Sequence, residues 1–188
     1  MYAPTCANSE WTLFAVAALL QGGAQVNRAD YTRGTPLIAA SSRGHAAVVR
    51  ILLQAGAQVE ARCRGLTALF LAAEGGHTAA ALALVDAGAL VDSKRRNDGL
   101  TSLHMAAYKG HSAVVRILLE RGAEVNGVIK PGLTPLHSAS ERGHEAVVVA
   151  ALHGVRRVDS ADDGGTGWSC GDYYGAFAGG GRGERGDA

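Results

Sequence analysis

The sequence predicts an all-α solenoid of stacked helix-turn-helix units with extended β-turn fingers, and three periodic observations carry that expectation. Thr35, Thr67, Thr101 and Thr134 recur at intervals of 32, 34 and 33 residues. The pairs Gly44-His45, Gly76-His77, Gly110-His111 and Gly143-His144 follow at the same intervals. Gly23-Ala24, Gly56-Ala57, Gly88-Ala89 and Gly122-Ala123 recur at 33, 32 and 34. A period in this range marks a solenoid, in which each unit buries its apolar face only against its neighbours.

The stretch from Asp98 to Asn126 shows the chemistry of one unit. Asn97-Asp98-Gly99 is turn chemistry, with Gly99 supplying backbone freedom. Thr101 stands at a helix start, where its hydroxyl can cap free N–H groups. Leu103, Ala106 and Ala107 give a short first helix an apolar side, and Gly110 stops it. Val114, Val115, Leu118 and Leu119 form the stripe of a second helix, which Gly122-Ala123 ends. Val125-Asn126 then begins an extended arm. Helices shorter than about 12 residues are marginal alone, so stacking must supply their stability.

These residues resemble the ankyrin repeat, whose pattern runs Thr-Pro-Leu-His-x-Ala-Ala, Gly-His, Val-Val, Leu-Leu, Gly-Ala and Val-Asn. Thr35-Pro36-Leu37, Thr134-Pro135-Leu136-His137 and Leu103-His104-Met105-Ala106-Ala107 match it closely. The resemblance implies four units at 30–61, 62–96, 97–130 and 131–160, preceded by a degenerate N-terminal repeat or cap over 1–29. Residues 11–27 keep only a second half, with Leu19-Leu20, Gly23-Ala24 and Val26-Asn27. In register, Tyr2 to Thr12 would form the missing first helix. The last unit loses its closing glycine, because Val155-Arg156 stands where Gly-Ala is expected and Ala151-Leu152 replaces Leu-Leu. That pattern reads as a weak C-terminal cap or a truncated array, with Arg156 and Asp159 helping to solvate it.

From residue 161 the chain changes character. Ten of the 25 residues from Gly164 to Ala188 are glycine and the period ends, so 161–188 is expected to be a disordered Gly-rich tail. Trp168, Tyr173, Tyr174 and Phe177 are its candidate docking side chains, and Asp172, Glu184 and Asp187 give it acidic character.

A net charge of +1 argues against bulk nucleic-acid binding. Cys6, Cys63 and Cys170 are far apart and lack metal-ligand spacing, which favours a reduced, cytoplasmic or nuclear setting. The apolar run Leu13 to Leu20 lacks a basic segment before it and follows Glu10, so a signal peptide is not expected. No stretch approaches the roughly 18 apolar residues of a membrane span. A monomer with no cofactor and no metal is expected.

Enzymatic motifs are missing from the pattern. His45, His77, His111 and His144 repeat with the period and have no Cys or carboxylate partners at metal-ligand spacing. Their role is expected to be hydrogen bonding between units, and the resemblance implies that His104 and His137 brace the turn. Neither a Gly-x-Ser-x-Gly elbow nor a phosphate loop ending in Gly-Lys-Ser/Thr occurs.

The resemblance implies a concave binding face made by the turn tips and the exposed side of each first helix. The tips carry Arg28, Asp30, Arg33, Glu60, Arg62, Arg64, Asp92, Lys94, Arg95, Arg96, Asp98 and Lys130. That is eight basic against four acidic residues, a local +4 in a nearly neutral chain. On the first helices, Leu71, Met105 and Tyr108 gather in the middle two units, where an aromatic beside aliphatic residues and arginines resembles a binding hot spot. The candidate partner-binding residues are therefore Tyr108, Met105, Leu71, Arg95, Arg96, Lys94, Arg62, Arg64 and Arg33. The expected function is a non-enzymatic module that binds a protein partner through an acidic or phosphorylated segment. The alternative is a regulatory or targeting subunit, or a fragment of a larger enzyme or channel assembly.

Overall fold

A computed structural model describes residues 7–129 and 132–159. The tail over 161–188, with its aromatic side chains, lies outside the described residues. So does Lys130. The chain divides into a unit over residues 1–156 and another from 157, of which only the end of the last helix is described.

Four short inner helices, α2 (Pro36–Ser42), α4 (Ala68–Glu74), α6 (Ser102–Lys109) and α8 (Pro135–Glu141), stack in one row. Each alternates with an outer helix: α3 (Ala46–Gln54), α5 (Thr78–Asp86), α7 (Ser112–Glu120) and α9 (Glu145–Asp159). A further helix, α1 (Ala7–Gln21), packs against α3 through Val16 and Leu20. A two-residue hairpin, β1 (Arg62–Cys63) with β2 (Leu66–Thr67), forms one finger, and an isolated bridge between Ile129 and Leu133 forms another. This is the helical solenoid with short fingers that the periodicity predicts.

The threonines cap the inner helices. Thr35, Thr67, Thr101 and Thr134 have extended backbones, and each Oγ1 accepts the N–H three residues on, at 3.2–3.4 Å. Capping of this type contributes about 1 kcal/mol per helix. The outer helices end at Gly56, Gly88 and Gly122, all at φ of 84–88°, a left-handed conformation that only glycine adopts without cost. The following alanine N–H then reaches back to Leu52, Leu84 or Leu118 at 2.9–3.0 Å and satisfies an end carbonyl.

Leu37, Leu69 and Leu103 fill the centre with Val49, Leu84, Val114, Val115 and Leu118, all 1% exposed or less. The alanines Ala72, Ala73, Ala106 and Ala107 lie between neighbouring inner helices and are also almost fully buried.

The repeat-to-repeat joints are made by the Gly-His pairs. His77 Nε2 donates to the carbonyl of Ser42 at 3.2 Å, His111 to Glu74 at 3.1 Å and His144 to Tyr108 at 3.0 Å. Each acceptor lies in the last turn of the preceding inner helix, where carbonyls have no helical partner. Every ring lies over the glycine of the previous pair. A Cβ on Gly44, Gly76 or Gly110 would come within 2.4, 2.6 and 2.8 Å of it. The expected inter-unit role is thus given a specific bond for His77, His111 and His144.

A second ladder runs along the arms. Asn27 Oδ1 accepts from Gln58 N at 2.7 Å, Glu60 Oε1 from Leu90 N at 2.9 Å and Asp92 Oδ1 from Glu124 N at 3.0 Å. These three side chains occupy equivalent places in successive units, so each unit orients the first arm residues of the next.

The two ends differ from the expected pattern in opposite ways. Of the expected first helix over Tyr2 to Thr12, residues 2–6 lie outside the described residues, and residues 7–12 belong to α1, which runs on unbroken to Gln21. Trp11-Thr12 stands where the other units have Gly-His, so nothing there stops the helix. At the far end α9 runs 15 residues against nine for α3, α5 and α7. Val155-Arg156 replaces the Gly-Ala pair, and without glycine the left-handed stop cannot form cheaply.

Three outcomes follow from this packing. Leu118→Ala removes a fully buried side chain and should cost about 2–5 kcal/mol in a denaturant titration. Ser102 is fully buried, its hydroxyl has no partner among the described residues, and it occupies the first helical position that Pro36 and Pro135 hold elsewhere. Thr101 before it is already at φ −101°, ψ 169°, which suits a residue preceding proline. Ser102→Pro should therefore raise stability by about 1 kcal/mol, read as a higher Tm.

His104 is 1% exposed. Its Nε2 donates to Gly127 O at 3.0 Å, and Nδ1 accepts from the Thr101 hydroxyl at 2.8 Å. Burial holds its pKa below the ordinary value of 6.5 despite opposing hydrogen bonds. The unfolded chain therefore takes up this proton first as pH falls. The stability linked to neutral His104 is complete above about 6.5 and is lost progressively below it. The wild-type Tm should fall between pH 7.5 and 5.5. His104→Gln should start lower, because it loses both bonds, and show a shallower fall.

Candidate functional site

The surface that a partner can reach on the inner side is built from the finger tips and the exposed positions of α2, α4, α6 and α8. Four fingers precede these helices in turn. Neighbouring fingers touch: Cys63 Sγ donates to Thr32 O at 3.3 Å, and the Arg62 guanidinium donates to Ser93 Oγ at 2.6 Å and Lys94 O at 3.2 Å. The first three tips are thus laid side by side in a connected row.

The acids of that row are committed internally. The Asp30 carboxylate accepts from Thr32 N, Thr32 Oγ1 and Gly34 N at 2.6–2.8 Å. Those bonds, that of the Thr32 hydroxyl first, hold its pKa below the ordinary value. Glu60 and Asp92 belong to the arm ladder. Asp98 is bound by both ends of the Arg95 guanidinium, with Nε to Oδ1 at 2.8 Å, and also accepts from Leu100 N at 3.2 Å. The Arg95 hydrogen bond lowers the Asp98 pKa and raises that of Arg95.

The cations divide into two groups. Arg62 is half-buried and works as the strut between fingers, also donating to Gly65 O at 3.2 Å. Arg95 is half-buried too, paired with Asp98, with its guanidinium carbon 5.7 Å from the Phe70 ring centroid. Phe70 takes the place that His104 and His137 hold in the next two units, so a cation–π contact replaces the histidine brace there. Arg28, Arg33, Arg64, Lys94 and Arg96 are exposed, and none of their side chains has a hydrogen-bond or ion-pair partner among the described residues. The basic tips counted from the sequence therefore contain two structural arginines and five outward cations.

The inner-helix candidates are graded by burial. Leu71 is half-buried and packs against the core, and Met105 is half-buried as well. Tyr108 is 37% exposed. Its hydroxyl accepts from Arg142, the residue that caps the end of α8, whose guanidinium carbon lies 4.2 Å from the ring centroid. A partner would meet a tyrosine already oriented by an arginine. Sequence reasoning passed over Arg142, though it stands one position beyond the Tyr108 equivalent Glu141. It also passed over Tyr31, which is 98% exposed on the first finger. An aromatic inside turn chemistry was the signal.

Among the described residues no group of three or more His, Cys, Asp or Glu could hold a metal ion, and no helix is long and apolar enough to cross a membrane. Comparison with the curated proteins gives no match. The family described as Ankyrin repeats (3 copies) matches residues 5–95, 59–129 and 89–162, which together span well over half of the chain. That fold is a protein–protein interaction scaffold rather than a catalyst, and its repeat grammar is the one traced above in capping threonines, Gly-His joints and fingers. This chain belongs to the ankyrin repeat family.

Proposed function

We propose that this array captures an acidic segment of a partner protein along the row of finger tips and the exposed side of the inner helices, inside the cell. One observation supports this reading above the others. All four acids of the finger row are tied into internal bonds, whereas Arg28, Arg33, Arg64, Lys94 and Arg96 face outward without partners among the described residues. The acids keep their charge but have their oxygens turned to internal donors, while the outward cations keep theirs free for a partner, so the row's excess of positive charge is carried by side chains a partner can engage. Charge of this kind steers encounter and selects partners more than it adds raw affinity. Tyr108, held against Arg142, supplies an apolar and polar contact beside that row, the type of residue in which binding energy concentrates.

The test is capture from cell extract by the full chain and by a variant carrying Arg64→Glu, Arg96→Glu and Tyr108→Ala. These side chains carry little of the core, so the Tm should stay within a few degrees of the parent. The expected outcome is loss of the proteins retained by the parent. For a client so identified, association should slow by about tenfold or more at low salt, the difference shrinking as ionic strength rises. Identical retention by both proteins would overturn the assignment of this face.

A further inference from the structure

The fingers contain an irregularity that folding alone does not explain. Two residues before each capping threonine, the second, third and fourth fingers carry Gly65, Gly99 and Gly132, at φ of 82°, 78° and 115°. The first finger has Arg33 there, at φ 65°. The next finger makes its two-residue turn with Arg64 at φ 51° and Gly65, both positive, as a type I′ turn requires. Asparagine or glycine is favoured at the Arg64 position. Arg33 and Arg64 are the only non-glycine residues at positive φ among those described. Both are arginines, both are exposed with no side-chain hydrogen bond or ion pair among the described residues, and they lie on neighbouring fingers joined by the Cys63–Thr32 bond.

A long basic side chain at a left-handed position costs stability that glycine or asparagine would spare. At the place equivalent to Arg33 in the other fingers, a Cβ on Gly65, Gly99 or Gly132 would meet nothing within 4 Å, so no close packing calls for a side chain there. What it gains is position: a guanidinium carried outward on a rigid turn. The first finger is rigid because Asp30 holds it through three hydrogen bonds, with Arg33 N also donating to Asp30 O at 3.0 Å. Tyr31, 98% exposed, stands on the same loop.

We infer that Arg33 and Arg64 form a subsite for a phosphorylated side chain within the acidic segment, with Tyr31 covering the residue beside it. The inference rests on the proposed function and names one subsite within it. A carboxylate is matched by one forked arginine, and Lys94 and Arg96 suffice for such groups elsewhere on the row. A phosphomonoester brings a charge near −2 and three acceptor oxygens, which calls for two guanidiniums. The Asp30 carboxylate, which lies within electrostatic reach of Arg64, opposes an anion there, so one cation alone would not suffice.

The experiment uses the full chain and three degenerate peptide pools with fixed flanking aspartates and a central phosphothreonine, glutamate or threonine. The phosphothreonine pool should bind about tenfold or more tightly than the glutamate pool. Arg33→Gly with Arg64→Asn should weaken both pools but the phosphothreonine pool far more, bringing that ratio to about one. The same variant should melt at or above the parent temperature, because both substitutions relieve the backbone. A ratio near one in the parent, with the glutamate pool still bound over the threonine pool, would overturn the subsite and leave the acidic-segment reading standing. Equal binding of all three pools, each carrying the flanking aspartates, would overturn the subsite alone, and binding of none would overturn both. A marked fall in melting temperature would also overturn the inference, because the arginines would then serve the fold. So would preferential binding of mixed-sequence RNA competed away by salt.

Discussion

The constraint on which this molecule depends is the joint between one Gly-His pair and the next. A glycine at left-handed φ ends the inner helix and, lacking a Cβ, leaves room for the histidine ring of the following unit. That ring hydrogen-bonds a carbonyl that the helix end would otherwise leave unpaired. Sterics and hydrogen bonding thus fix the same spacing, and the alanines of the inner row can then sit at close approach. The leucine core follows from that spacing rather than determining it, because helices of seven to nine residues have too little surface to choose a register by themselves.

Where the joint is missing, the fold changes as this account requires. Trp11-Thr12 occupies the first Gly-His place, and α1 runs through without a break. Val155-Arg156 occupies the last Gly-Ala place, and α9 continues six residues beyond the length of its counterparts. The stop signals act locally: each glycine ends its own helix, and its absence lengthens only that helix.

Much of the fold was legible in the sequence because it is written in residue types with one physical use. Positive-φ glycines, threonines before helices and paired leucines each admit few structural readings, and their repetition in register multiplied the signal. The candidate site was less legible because charge commitment is a matter of partners. Arg95 and Arg96 are adjacent and chemically identical, yet one is locked to Asp98 against Phe70 and the other faces solvent. Arg62 read as a tip cation and is a strut between fingers. Glu60 and Asp92 read as tip acids and turn out to bind the backbone of the next unit. Only the arrangement in space separates side chains that hold the array from those left over for a partner.

That separation explains how a scaffold can be both rigid and variable. The inward network binds each finger to the next through Arg62, Cys63 and the arm ladder, so little conformational entropy remains to be lost when a partner docks. The outward positions are free of that network: the finger glycines Gly65, Gly99 and Gly132 face open space, and a side chain placed there disturbs no neighbour. Their only cost is the backbone conformation. A non-glycine residue at such a place, as Arg33 is, gains no contact from its Cβ, which is why the left-handed arginines carry the inference drawn above more than the larger number of cations around them.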